Sequence, residues 1–195
     1  MPKKIILYHI ESSIKNLGPG SRYAIWLQGC KFACKGCLVE DSWKLENGQC
    51  KNISDLYNDI VNTKDIEGIT FSGGEPFEQV DALYDIIQKI KFFKTELSIM
   101  IFTGYTLKEL IEKNSLKILY VIQNIDILVD GKYIQELYEP DPWRGSKNQN
   151  IHFLTQRYSV ADYIKAYKNY RFEYYIKDGG GKYFASGIPI KKDKK

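Results

Sequence analysis

Three cysteines stand within eight residues, Cys30-Lys-Phe-Ala-Cys34-Lys-Gly-Cys37. Thiolates at this spacing can face one soft metal centre, and cysteine is the usual ligand of iron–sulfur clusters. A cubane cluster normally takes one protein ligand per iron, so three thiolates leave one iron open. An open coordination position separates a catalytic metal site from a closed structural one. The run therefore points to a cluster that binds something. Cys50 lies well downstream with no second cysteine beside it and reads as a lone thiol. Two plainer readings stand beside the cluster: a zinc site completed by Cys50 or by His9 or His152, and incidental buried thiols. His152, between Ile151 and Phe153, reads as a hydrogen-bonded structural histidine.

Four further motifs carry polar chemistry at the ends of apolar segments. In Ser72-Gly73-Gly74-Glu75-Pro76, two glycines let the backbone approach a ligand closely, and Glu75 offers an acceptor for an ammonium group. Pro76 suits the first position of a helix. Thr103-Gly104-Tyr105 and Asp130-Gly131-Lys132 each follow an apolar run, and each alone reads as a turn. In Arg144-Gly-Ser-Lys-Asn148-Gln149, the Arg144 guanidinium is a fork suited to a carboxylate.

The elements that must position these residues alternate between strand and helix patterns, which argues an α/β fold with a parallel sheet. Strands are expected over residues 5–8, 23–27, 68–71, 97–102, 125–129 and 150–154. Ile53, Leu56, Tyr57, Ile60 and Val61 recur at helical spacing, as do Phe77, Val80, Leu83, Tyr84 and Ile87. Thr106-Leu-Lys-Glu109 has the form of a capping box opening another helix. A short helix is expected near residues 133–138, and Ser159-Val-Ala-Asp162 would cap one more. Residues 172–176 and 182–185 flank a Lys-Asp-Gly-Gly-Gly turn and read as a β-hairpin. About five βα units are too few for a closed eight-stranded barrel, which takes about 250 residues, so an open, partial barrel is expected.

Composition narrows the class. The chain has 195 residues, 44% of them hydrophobic and 14% aromatic, enough for one globular domain with a sizeable core. A single domain over 1–195 is expected, with its core at about 18–170, the hairpin at about 171–189 and a basic tail at 190–195. Met1-Pro-Lys-Lys leads straight into an apolar strand, and there is no apolar run of transmembrane length. Neither a membrane span nor a secretory signal is expected, and the expected location is cytoplasmic. Cytosolic cysteines are rarely disulfides, which favours metal. The net charge is +4, with much of it in the tail and no basic stripe interleaved with aromatics, so no nucleic-acid partner is expected.

The cysteine run and its flanks resemble the radical S-adenosylmethionine superfamily. Gly18-Pro-Gly-Ser-Arg22, Trp26-Leu-Gln-Gly-Cys30, Cys34-Lys-Gly-Cys37 and Trp43 are similar to the glycyl-radical-enzyme activating proteins, especially the group that serves anaerobic ribonucleotide reductase. The resemblance runs from about residue 18 to 189. It implies a partial βα barrel of radical S-adenosylmethionine type with a C-terminal β-hairpin. Cys30, Cys34 and Cys37 would hold a [4Fe–4S] cluster whose open iron chelates the cofactor's amino and carboxylate groups. Gly73, Gly74 and Glu75 would hold the amino group of S-adenosyl-L-methionine. Thr103, Asp130, Lys132 and Arg144 are further cofactor-binding candidates, and Arg22 would touch either cofactor or partner. One electron would break the sulfonium C–S bond, and the resulting 5′-deoxyadenosyl radical would take hydrogen from a backbone glycine of a large partner enzyme. A flavodoxin or ferredoxin-type reductant is implied. A radical enzyme acting on a peptide or small molecule is the alternative within this class, and a non-catalytic zinc or electron-transfer module lies outside it.

Two departures from the resemblance stand out. Activating enzymes commonly follow the third cysteine with His/Tyr-Asn-Pro or a similar run, where this chain has Leu38-Val-Glu-Asp-Ser-Trp43. The arginine that closes the Arg-Gly-Ser-x-Asn-Gln-Arg run is Asn150 here.

Cys34→Ser is expected to abolish cluster assembly and Cys50→Ser to leave it nearly intact. Iron and sulfide assays after anaerobic reconstitution check this, and equal losses in the two variants would refute a three-cysteine ligand set.

Overall fold

The computed structural model describes residues 3–139, 141–168, 173–176 and 183–187. The chain opens with β1 (Lys4–Ile14) and β2 (Arg22–Leu27), then passes through the cysteine segment to β3 (Gln49–Asn52) and α1 (Ile53–Asn62). Next come β4 (Gly68–Gly73), a 3-10 turn at Pro76–Gln79, α2 (Val80–Phe93) and β5 (Ser98–Phe102). Two short helices, α3 (Leu107–Glu112) and α4 (Leu116–Gln123), precede β6 (Ile127–Asp130) and β7 (Asn150–Phe153). The described chain finishes with α5 (Val160–Lys168), β8 (Glu173–Ile176) and β9 (Tyr183–Ser186). Seven strands form one open sheet in the order β3-β1-β2-β4-β5-β6-β7, and β8 pairs antiparallel with β9. The C-terminal pair matches the expected hairpin, while its Gly-rich turn and the basic tail lie outside the described residues.

The sheet is mixed, a correction to the parallel sheet expected. Only β2, β4, β5 and β6 run parallel, through three crossovers that each include helix. A parallel return needs a crossover of a dozen or more residues, and the short link from Ile14 to Arg22 cannot supply one. β1 therefore pairs antiparallel with β2; β3 also pairs antiparallel with β1, and β7 with β6.

Strand alternation assigns the two faces different tasks. Tyr23, Ile25 and Leu27, with Ile69, Phe71, Ile99, Ile101 and Leu128, meet the apolar stripes of α1, α2, α3 and α4 in the main core. In α2 that stripe is Ala82, Leu83, Ile86, Ile87 and Ile90, all buried at helical spacing. The opposite face carries two smaller clusters, one around Ala24 and Trp26, the other around Met100, Ile127, Val129 and Trp143. Helices α1 to α4 thus cover one side, while the other is covered by irregular segments and, through Tyr163 and Ala166, by α5. Thr106 and Glu109 form the expected capping box at the start of α3. The sequence pattern places no element at α4 and none at β3. Asn114, at φ 47°, breaks the helical run between α3 and α4. Among the described residues no helix is long and apolar enough to cross a membrane.

Arg22 occupies the opposite end of the parallel strands from the motif loops. It is fully buried, and its guanidinium donates to Thr70 Oγ1 (2.6 Å), Pro19 O (3.0 Å), Ser98 Oγ (2.9 Å) and Ile69 O (2.7 Å). Burial lowers it to about 10, the nearby Tyr158 working against that. Its neutral acceptors tie β2, β4 and β5 together, so it is a structural cation and not the cofactor or partner contact expected. Arg22→Leu leaves these buried acceptors unpaired and is expected to cost about 3 kcal/mol or more. Denaturant unfolding measures this, and a loss within the range of surface substitutions would deny Arg22 that role.

Candidate cofactor site

The cysteine segment is a loop whose two ends meet. Gly29 N–H donates to Ser42 O (2.7 Å), Cys30 N–H donates to Trp43 O (3.0 Å), and the buried Gln28 amide donates to Asp41 O and Lys44 O, both at 2.8 Å. Such closure is the mark of an Ω-type loop. Within it, Cys37 N–H donates to Cys34 O (3.1 Å), with Gly36 at φ 73° in the third position of the turn. A positive φ there is what selects glycine.

The end of β4 is stitched to this loop. Gly74 N–H donates to Leu27 O and Glu75 N–H to Gly29 O, both at 2.8 Å. The fit leaves no room for side chains: a Cβ on Gly73 would lie 2.7 Å from the Leu27 backbone, and one on Gly74 2.3 Å from Gly29 O. Gly73 also has φ 91°. The glycines expected to admit a ligand therefore first admit another stretch of backbone.

Glu75 is buried at 1% exposure. Its Oε1 accepts from Phe77 N–H (2.9 Å) and Thr103 Oγ1 (2.8 Å), and its Oε2 from Gly104 N–H (2.8 Å). Burial pushes its carboxyl up to about 7, against the lowering effect of these three donors. A buried carboxylate held this way favours a cation arriving beside it.

These parts surround one cavity of about 240 Å³, several times the roughly 30 Å³ a water takes in the liquid. It lies at the carboxyl ends of the parallel strands, on the face opposite α1 to α4. Cys30, Cys34, Cys37, Gly73, Gly74, Glu75 and Thr103 all line it. All three thiols are half-buried, whereas Cys50 is exposed and sits on β3 opposite Ile6, outside the lining. Burial pushes the Cys30 and Cys34 thiols up, and the neighbouring backbone N–H groups of Phe32 and Ala33, for Cys30, and of Tyr133, for Cys34, work against that. Backbone donors aimed at sulfur suit thiolate ligands of an iron–sulfur cluster, whose potential such bonds tune. Among the described residues no three His, Cys, Asp or Glu side chains gather as a single-ion site. Three half-buried thiols lining one cavity are a donor set that fits an iron–sulfur cluster.

The remaining candidates fall outside that lining. Asp130 is buried beneath the rim, accepting from Leu107 N–H (2.6 Å) and Asn150 Nδ2 (3.0 Å), with His152 Nε2 at 2.9 Å. Asn150, one of the two departures from the resemblance, is thus Asp130's partner. Lys132 is exposed, with Nζ over the Phe32 ring at 4.8 Å from its centroid. Arg144 turns to the buried Asp141, at 2.9 Å, and to Tyr163. Its loop does reach the cavity through Pro142, Trp143, Gly145 and Gln149. Sequence reasoning missed Phe32, Leu38, Val39 and Tyr133 in the lining. Their nearness to the cysteines and to Asp130-Gly-Lys132 is the only signal the chain offers for them.

Residues 16–152 match the family described as a 4Fe–4S single cluster domain, which sets the class as single-cluster iron–sulfur proteins. The anaerobic ribonucleoside-triphosphate reductase-activating protein of Vibrio cholerae is 36% identical over 148 residues, covering 71% of this chain and 91% of that protein. Its namesake in Escherichia coli K12 is 36% identical, covering 70% and 91%, and that of Enterobacteria phage T4 is 29% identical, covering 69% and 85%. The chain belongs to the 4Fe–4S single-cluster family, among the anaerobic ribonucleoside-triphosphate reductase-activating proteins.

Glu75 has a pH signature of determined sign. Its folded value of about 7 lies above the ordinary 4.5, so its contribution to stability is fully present below about 4.5 and is lost as pH rises through about 7. The melting temperature of the wild type, minus that of Glu75→Gln, is expected to fall between pH 5 and pH 8. Parallel profiles would show that the buried carboxyl does not titrate in this range.

Proposed function

We propose that this protein is a radical S-adenosyl-L-methionine oxidoreductase of the glycyl-radical-enzyme activating type, and that its partner is an anaerobic ribonucleotide reductase. The observation that carries the reading is the joining of two motifs into one cavity: three half-buried thiols on one side, Gly73-Gly74-Glu75 on the other. The names of the relatives support the choice of partner.

In this reading Cys30, Cys34 and Cys37 hold a [4Fe–4S] cluster. The buried Glu75 carboxylate and the backbone at Gly73 and Gly74 receive the ammonium group of S-adenosyl-L-methionine. Thr103 keeps Glu75 oriented through its 2.8 Å bond and borders the same ligand. Lys132 brings a positive charge beside Cys34, and Asp130 fixes the loop that carries it through its bond to Leu107. Arg144, paired with Asp141, shapes the Trp143 wall. When bound, the cluster and S-adenosyl-L-methionine would supply one-electron radical chemistry able to remove hydrogen from a backbone glycine of the partner. The protein positions these groups and limits side reactions.

An open sheet whose four parallel strands are joined by crossovers through α1 to α4 supports a partial barrel of the radical S-adenosylmethionine type, within a single domain. The electron would come from a flavodoxin or ferredoxin-type protein in the cytoplasm.

Anaerobic reconstitution, then EPR of the reduced protein with and without S-adenosyl-L-methionine and an assay for 5′-deoxyadenosine, tests the reading. A cluster signal altered by the cofactor, with cleavage product formed, is expected. Glu75→Ala should retain the cluster signal while weakening cofactor binding by roughly 10- to 100-fold, the effect of losing a charged hydrogen bond. A cluster indifferent to S-adenosyl-L-methionine would point to an electron-transfer protein.

A further inference from the structure

The C-terminal segment returns to the cavity from the far end of the chain. Ser186, the last residue of β9, is 3% exposed, and Ser186 and Gly187 line the same cavity as the three cysteines and Glu75. Two reciprocal hydrogen bonds hold Ser186 there. Asn16 Nδ2 donates to the Ser186 carbonyl at 2.7 Å, and Ser186 Oγ donates to Asn16 Oδ1 at 2.9 Å. Asn16 is itself buried at 6% exposure.

The loop bearing Asn16 is anchored in turn. Leu17, beside it, lines the cavity, and the Leu17 carbonyl accepts from Thr70 Oγ1 at 2.7 Å. Thr70 Oγ1 is also the acceptor for Arg22 Nε at 2.6 Å. A continuous set of hydrogen bonds therefore runs from the structural arginine through Thr70 to Leu17, whose neighbour Asn16 grips Ser186. Leu17 and Val39 pack with Trp26 in the small cluster on this face, and all three also line the cavity. The end of β9 lines the same cavity as that apolar cluster.

A primary amide that meets both the carbonyl and the hydroxyl of one residue selects that residue for its place. A shift of one position along β9 would break the hydroxyl bond and bury unpaired polar groups. Nothing in the catalytic motifs requires this pairing. Its effect is to place a segment from the end of the chain along a cavity otherwise built from strand-end loops.

We propose that Asn16 is a positioning residue that holds Ser186 and Gly187 as a wall of the cofactor cavity, so that retention of the small-molecule ligand depends on the C-terminal segment. Naming that ligand as S-adenosyl-L-methionine rests on the function proposed above. The two bonds make the effect graded. Ser186→Ala removes only the hydroxyl bond, because Asn16 still reaches the backbone carbonyl. Asn16→Ala removes both bonds, and adding Ser186→Ala to it removes nothing more.

The test uses the full chain, reconstituted with its cluster, and two readouts: amide hydrogen exchange over residues 183–187 and the dissociation constant for S-adenosyl-L-methionine. Asn16→Ala is expected to lose protection over 183–187 and to raise the dissociation constant about tenfold, Ser186→Ala about threefold, and the double variant no more than Asn16→Ala. Iron content and the EPR signal without cofactor should match the wild type in all three. Loss of protection with unchanged affinity would overturn the proposal, as would additive losses in the double variant. Should Asn16→Ala fail to fold, Ser186→Ala alone decides, and wild-type affinity there would also overturn it. If the wild type does not bind S-adenosyl-L-methionine, the cofactor assignment fails by itself. The wall is then judged by exchange, where unchanged protection in Asn16→Ala overturns it.

Discussion

The close approach of two backbones at the end of β4 is the constraint on which the site depends. Gly74 and Glu75 donate to Leu27 and Gly29 across a gap that no side chain could share. That contact sets the height of the cysteine loop above the sheet and brings Glu75 under it. From there the bonding continues round the rim: Glu75 accepts from Thr103 and Gly104, Tyr105 O accepts from Gly131 N–H, and Gly131 O accepts from the Gln149 amide. Each loop at a parallel strand end is thus fastened to the next. Loops held this way position functional groups far better than free ones.

The two faces of the sheet make such a rim possible. Apolar residues of β2, β4, β5 and β6 face α1 to α4 on one side and form the main core. The other side receives smaller apolar clusters and the irregular chain around Trp26 and Trp143. Arg22 braces the opposite ends of the same strands with neutral acceptors, away from the cavity. Stability and chemistry are therefore placed at opposite ends of one set of strands, the usual arrangement where ligands bind outside strand carboxyl ends. The buried Glu75 is the exception, a charge kept at the chemical end at some cost to the fold.

Features whose chemistry is local are legible in the amino-acid order. The cysteine spacing marks the loop, and the Thr106–Glu109 capping box announces α3 because both partners lie within one turn. The apolar period of α2 is equally plain, since a helix between sheet and solvent must carry it. Other features are less legible. The strand β3 is four residues long with no alternating pattern of its own, and it exists because β1 offers an edge to pair with. Arg144 and Asp130 carry side chains suited to a ligand, yet the first is paired with Asp141 and the second caps the start of α3. Charge type tells what a residue can bind, while its actual partner depends on which neighbours the fold supplies.

The sequence by itself determined the ligand chemistry, the helix-forming stripes and the need for glycine at residues 73 and 74, because these follow from side-chain type and short spacing. The tertiary structure decided what those glycines are for, which carboxylate is buried, and that Ser186 would meet Asn16. These outcomes depend on contacts between residues distant in the chain. Such contacts leave no periodic or compositional trace, since their energy arises only when separate segments are brought together and water is removed from between them.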